Sequence, residues 1–213
     1  YKEMGFTKET IINALALLGW STENEIFSID ELIESFKLEN VQKAAAVFDL
    51  KRFNWVSSQQ LAKLDENGFF EVIKPFMENE DINEDYPNYK KILLAMRTSK
   101  TNLKDIAHAT RPFFFELDGY DEKGVKKFLN ESLETLTFAL EVLSKLTEWN
   151  ETELDMALIK VRDYFNLPIP KVNQPMRIAL VGSTVSPSLG LTLELFGKEK
   201  SLERIQKAID FIS

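Results

Sequence analysis

Between Gln174 and Pro187 the chain carries a single arginine, Arg177, followed by a run of small hydroxyl residues, Ser183, Thr184 and Ser186. A guanidinium is a planar fork of donors that can make paired hydrogen bonds to a base edge or a phosphate, which a lysine cannot copy. Pro175 and Pro187 each suit a first helical position, where a missing N–H costs nothing. Ser186 stands where an N-cap belongs. The stretch therefore reads as helix starts beside an isolated arginine, an arrangement suited to nucleotide edges and phosphate. Two plainer readings stand beside it: Arg177 as a surface arginine on a helix, and Ser186, Pro187 and Leu189 as an ordinary N-cap for the next helix.

Other chemistry has less support. The chain has no cysteine and one histidine, His108. A thiolate metal site is thereby excluded, and a histidine-based catalytic pair is unsupported. Val181-Gly182-Ser183-Thr184 lacks the spacing and the lysine of a phosphate loop. The acidic run from Glu78 to Asp85 has no calcium-loop spacing and reads as a solvated connector. Phe113, Phe114 and Phe115 read as core rather than as a stacking platform.

The elements that must position these residues are helices. Thr7 can cap a helix through Leu18, stopped by Gly19. Ser28 with Glu31 makes a capping box for a helix through Phe36. The pattern predicts further helices over Val41–Val47, from Asn54, near Phe69–Met77 and over Tyr86–Met96. Asn102 caps Leu103–Thr110, with Arg111-Pro112 as the stop. Apolar spacing predicts one long helix from Asp121 to about Lys145, and Asn150 with Glu153 caps Glu151–Phe165. Pro168 and Pro170 read as a break. Leu189–Phe196, ended by Gly197, and Leu202–Ile212 complete an all-α chain. The expected division is 1–64, 65–118 and 119–213.

With 213 residues, 44% of them hydrophobic, the chain can build a genuine core. No apolar run approaches the ~20 residues of a membrane span, and the absence of cysteine suits a reducing compartment, so the cytoplasm is expected. The net charge of −8 argues at first against nucleic acid. It is unevenly spread, however: residues 1–155 hold 18 Lys+Arg against 29 Asp+Glu, whereas residues 156–207 hold 8 against 4. The positive balance coincides with the Arg177 stretch, so local charge is what would attract phosphate.

Three ordered blocks resemble bacterial glutamyl-tRNA synthetases. Tyr1-Lys2-Glu3-Met4-Gly5-Phe6 with Asn13-Ala14-Leu15-Ala16-Leu17-Leu18-Gly19-Trp20-Ser21 is similar to the segment following that family's Lys-Met-Ser-Lys loop. Glu25-Ile26-Phe27-Ser28, Lys43–Asp49 and Leu61-Ala62-Lys63-Leu64 follow in the family order. Gln174–Pro187 resembles its C-terminal signature. The resemblance implies a helical stem-contact unit followed by an anticodon-binding bundle of two subdomains, binding the glutamate tRNA. It also implies a catalytic half, using ATP and Mg²⁺, upstream of Tyr1. No cofactor is expected for this chain itself, and a monomer is expected.

By the same resemblance Arg177 contacts the first anticodon base. Ser186, Pro187 and Leu189 form a turn packing on the first two bases, with serine where the family carries threonine. Arg97 lies in a similar segment, and Ser99 occupies the place of an arginine that reads the third base. A short hydroxyl there implies relaxed reading, extending to the glutamine tRNA. Lys51 and Arg52 fall in the stem-contact region, where they would hold backbone phosphate or else form a solvated turn. The rival expectation, from a different class, is a helical protein–protein adaptor that uses its acidic face and binds no RNA.

Overall fold

The computed structural model describes all residues of Tyr1–Ser213 except Ser21, Glu23 and 43–46. Among the described residues there are twelve α-helices and no strand. A single antiparallel bridge joins Trp20 and Val41. The chain forms two compact units, Tyr1–Thr110 and Arg111–Ser213.

In the first unit, α1 (Lys8–Gly19) starts where the Thr7 hydroxyl accepts the Thr10 N–H. The capping box before α2 (Ile29–Ser35) is complete: Glu31 N–H donates to Ser28 Oγ at 3.1 Å, and Ser28 N–H donates to the Glu31 carboxylate at 2.7 Å. Helix α3 (Leu50–Lys63) starts at Asp49, whose carboxylate accepts the Lys51 and Arg52 N–H groups, five residues before Asn54. Helices α4 (Glu66–Glu78), α5 (Tyr89–Met96) and α6 (Leu103–Phe114) follow. Asn102 Oδ1 caps α6 through the Asp105 N–H at 2.8 Å. The helix runs through Arg111-Pro112 instead of stopping there. Of the helix expected over Val41–Val47, residues 43–46 lie outside the described residues; just ahead of it, Leu38–Asn40 form a short 3₁₀ turn.

The unit's first core joins Phe6, Ala14, Phe53 and Val56, where α1 packs on α3. A buried amide clamp beside it fixes Glu25 and Phe27, just ahead of α2. Asn13 Nδ2 donates to Glu25 O at 2.9 Å, Phe27 N–H donates to Asn13 Oδ1 at 3.0 Å, and Gln60 Nε2 donates to both Asn13 Oδ1 and Phe27 O at 2.7 Å. These groups leave few buried donors unmet, which is what makes a polar core tolerable.

In the second unit α7 (Glu122–Gly124), a π turn at Val125–Leu129 and α8 (Leu133–Ser144) replace the long helix expected from Asp121. Ser132 closes the break, its N–H and hydroxyl both donating to Leu129 O at 3.0 and 2.6 Å. A straight helix would drift in register; the break lets Leu129 and Leu136 both reach full burial. Then come α9 (Glu151–Phe165), capped by Asn150, α10 (Ile169–Val181), α11 (Leu189–Phe196) and α12 (Lys198–Ile212). Helix α12 begins four residues before Leu202. Helix α9 packs on α8, α10 and α11, and α12 covers α8, α10 and α11. Leu136, Leu154, Val161, Met176, Leu180, Leu193 and Ile205 fill the centre at 0% exposure.

Candidate nucleic-acid interface

Helix α10 carries Arg177. Pro170 lies in its first turn, so this proline opens the helix rather than breaking the chain. Pro175 is not at a first helical position either: it is buried inside α10. An interior proline costs roughly 3 kcal/mol of helix stability. Burial of Val172, Met176, Ile178, Ala179 and Leu180 on the same element offsets it. Gly182 ends the helix in the left-handed conformation with φ +72°, its N–H donating to Ile178 O at 2.9 Å. A Cβ there would sit 2.8 Å from Gly119 O, so only glycine fits both the φ and the space.

The chain then turns through residues 183–188 into α11. The N-cap of α11 is Ser188, not Ser186, and its Oγ accepts the Leu191 N–H at 3.4 Å. Ser186 and Pro187 precede the cap, which frees the Ser186 hydroxyl for other partners. Arg177 takes it up: Nε donates to Ser186 Oγ at 3.1 Å, and Nη2 donates to Pro187 O at 3.3 Å. Thr192, wholly buried on α11, meets the same atoms from below. Its Oγ1 lies 2.9 Å from Ser188 O, 3.1 Å from Ser186 Oγ and 3.5 Å from Pro187 O. Leu189, at 2% exposure, supports the corner from inside and does not offer an apolar surface to solvent, while Pro187 is half-buried.

The corner is anchored by α9. Ser188 Oγ donates to Glu151 Oε1 at 2.5 Å, and Glu151 N–H donates back to Glu194 Oε2 on α11 at 2.7 Å. Trp149 Nε1 donates to Leu193 O at 2.9 Å. A Cβ on Gly190 would lie 2.9 Å from Glu151 O, so a small residue lets α11 approach α9 closely.

Among the described residues no carboxylate pairs with Arg177. Burial alone pushes its guanidinium below the ordinary arginine value. An arginine stays charged despite such a shift, so the corner holds a positive charge that is partly desolvated and not neutralised. That is a demanding position for a structural group, and a suitable one for an anionic or carbonyl-rich ligand.

The other candidate residues lie in the first unit. Lys51 and Arg52 occupy the first turn of α3, both exposed. Arg52 pairs with Glu25 at 2.6 Å on the surface. Cations in a first helical turn oppose the helix dipole, so their place there is not explained by helix stability. Arg97 points into its own unit. Its guanidinium donates to Leu61 O and Leu64 O, closing the end of α3, and lies 5.1 Å from the Phe69 ring centroid. Ser99 Oγ is buried and has no hydrogen-bond partner among the described residues, while Lys100 next to it is exposed. His108 is exposed and lies 3.3 Å from Glu80.

Sequence reasoning missed Thr192 and Ser188. The available signal was the four-residue spacing between them, which lets a helical threonine bond the carbonyl one turn back.

The family model for an anticodon-binding domain matches residues 68–209, well over half of the chain. The chain belongs to the anticodon-binding-domain family. Arg177, Ser186, Pro187 and Thr192 all fall inside that match, as do Arg97 and Ser99. A second model, the catalytic domain of class I tRNA synthetases for Glu and Gln, matches residues 1–55.

Among curated relatives of this anticodon-binding chain, glutamate–tRNA ligase of Thermodesulfovibrio yellowstonii is 32% identical, the alignment covering 99% of this chain and 47% of that one. Glutamate–tRNA ligase 2 of Thermoanaerobacter pseudethanolicus is 33% identical over 100% and 46%. The crystal structure of a glutamate tRNA ligase from Elizabethkingia meningosepticum, in complex with its amino acid, superimposes with a TM-score of 0.82 at 29% identity, over 100% of this chain and 43% of that one. The chain thus spans about half the length of these relatives.

Proposed function

We propose that this chain is the tRNA-recognising C-terminal part of a glutamate–tRNA ligase. Membership of the anticodon-binding family and relatives that are glutamate–tRNA ligases along the whole chain support it. The observation that carries the reading is Arg177: an unneutralised guanidinium bonded to the Ser186–Pro187 corner at the mouth of α11. Unstacked anticodon bases present donors and acceptors that this corner can meet, Arg177 on the first base and Ser186 and Pro187 on the first two. A wrong base would leave buried polar groups unpaired, which is where discrimination arises.

In the first unit, the exposed Lys51 and Arg52 side chains with the positive end of α3 are assigned to the backbone phosphates of the tRNA inner stem. Arg97 acts from underneath, tying the turn that carries Ser99 and the exposed Lys100 to the end of α3. With no arginine fork at Ser99, reading of that base is relaxed, and the glutamine tRNA is a second substrate to test. For tRNA contact the working divisions are 1–64, 65–118 and 119–213, and the assembly is a monomer.

Attachment of glutamate with ATP and Mg²⁺ is assigned to the remainder of such a ligase. Among the described residues no three His, Asp or Glu side chains gather as a metal site. Residues 1–55, matched by the catalytic-domain model, expose Tyr1, Met4, Leu15, Leu38, Val47 and Leu50. That apolar surface suits contact with the rest of a catalytic domain.

The test is a titration with glutamate tRNA at two salt concentrations. Binding should weaken as salt rises, and Arg177→Ala should raise Kd about tenfold or more. A helical adaptor with no RNA role would instead show no binding, or binding indifferent to salt and to Arg177.

A further inference from the structure

We propose that Thr192 is a positioning residue for base discrimination, acting through Ser186; this rests on the anticodon-binding reading above. Ser186 has lost the capping job that its place in the sequence suggested, because Ser188 holds it. A serine on a six-residue turn between two helices would ordinarily sample several rotamers. Here its oxygen is held from two sides. Arg177 Nε donates to it at 3.1 Å from α10, and Thr192 Oγ1 lies 3.1 Å away on α11.

Thr192 is 0% exposed, and its Oγ1 also lies 2.9 Å from Ser188 O within its own helix. The Ser186 oxygen is thereby tied to the first turn of α11, which Glu151 and Glu194 lock to α9.

A count of the donors sharpens the inference. Three groups crowd the Pro187 carbonyl: Arg177 Nη2 at 3.3 Å, Ser186 Oγ at 3.0 Å and Thr192 Oγ1 at 3.5 Å. A hydroxyl has one proton and two acceptor lone pairs. With the Thr192 proton directed at it, the Ser186 oxygen accepts from Thr192 Oγ1 and Arg177 Nε together, and Ser186 is left to act as a donor. In the free protein that proton rests on Pro187 O, which also keeps the Arg177 Nη2 bond. Ser186 is the half-exposed member, so its proton is the one that turns outward to a base acceptor, while Arg177 and Thr192 hold the oxygen that carries it. The middle anticodon base of a glutamate tRNA is uridine by the genetic code, and uridine presents carbonyl oxygens at that edge.

The probe is an RNA hairpin carrying the anticodon stem-loop of glutamate tRNA, beside a second hairpin in which the middle uridine is cytidine. Thr192→Val keeps the shape and removes the hydroxyl. It should weaken binding of the first hairpin about tenfold and shrink the preference over the second by a similar factor. Thr192→Ser should restore both, with unfolding midpoints unchanged across the set. In a Ser186→Ala background, Thr192→Val should cost nothing further, because the two act as one unit.

Parent-like binding and discrimination by Thr192→Val would overturn the proposal. So would a loss of the same size with and without Ser186, which assigns Thr192 to packing alone. If Arg177→Ala weakens binding while Thr192→Val does not, the anticodon reading stands and this proposal falls. If the unmodified chain binds neither hairpin, both fall.

Discussion

Arg177 and Glu31 show two ways in which a single charged side chain is tuned by its neighbours. Arg177 is shifted by burial alone and compensated by neutral oxygens of a turn, so it stays available to a ligand. Glu31 is held below its ordinary 4.5, chiefly by the Ser28 backbone N–H, then by the Ser28 hydroxyl. A carboxylate with a lowered folded value contributes stability that is present above its ordinary value and is lost as pH falls through the folded one. Glu31→Gln should therefore lower the unfolding midpoint near neutral pH, and the gap to the parent protein should close as pH drops below the ordinary 4.5 and through the lowered folded value. A gap that stays constant with pH would show that the charge is irrelevant to the cap. Both residues were legible in the chain: Glu31 through the spacing of a capping box, and Arg177 as the one arginine of its stretch. The partner of Arg177 was not, because a hydrogen bond from a helix to the turn beyond its end has no sequence period.

At the scale of elements, caps were readable and prolines were misleading. Thr7, Ser28, Asn102 and Asn150 cap the helices their positions predict, since a cap is a local interaction satisfied within three residues. Pro112 and Pro175 both sit inside helices, where local rules would end one helix at Pro112 and open another at Pro175. Tertiary burial of the flanking apolar residues outweighs the lost backbone bond. The two-residue shift from Ser186 to Ser188 has the same origin: the cap is set where Glu151 on α9 receives the Ser188 hydroxyl, a contact 37 residues away in the chain. Gly182 governs the exit from α10 toward this corner. Gly182→Ala should destabilise the protein by about 2 kcal/mol, through the left-handed φ and the approach to Gly119 O, as read by chemical denaturation. A neutral result would mean that the turn relaxes, and the corner should then lose its fixed geometry.

On the scale of the whole molecule, all-helical architecture followed from scarce glycine, frequent caps and apolar spacing, and these are properties of the sequence itself. What joins each unit did not follow. Arg204 is 2% exposed and donates to Leu180 O at the end of α10 and to Phe115 O, with the Phe196 ring 4.5 Å from its guanidinium carbon. Sequence reading passed over it as one more basic residue of α12. Arg204→Met should cost roughly 3 kcal/mol in denaturant unfolding, because one buried and one part-buried carbonyl lose a charged donor. A loss of under about 0.5 kcal/mol would show that water replaces it. The sequence by itself determined the helical class, most helix ends and the importance of Arg177, because these rest on residue type and short spacing. Only the tertiary structure decided that Ser188 caps α11, that Ser186 is left to Arg177 and Thr192, and that Leu189 lies inside. Each of those outcomes depends on which helices touch, a choice made by burial across distant segments and not by any local pattern.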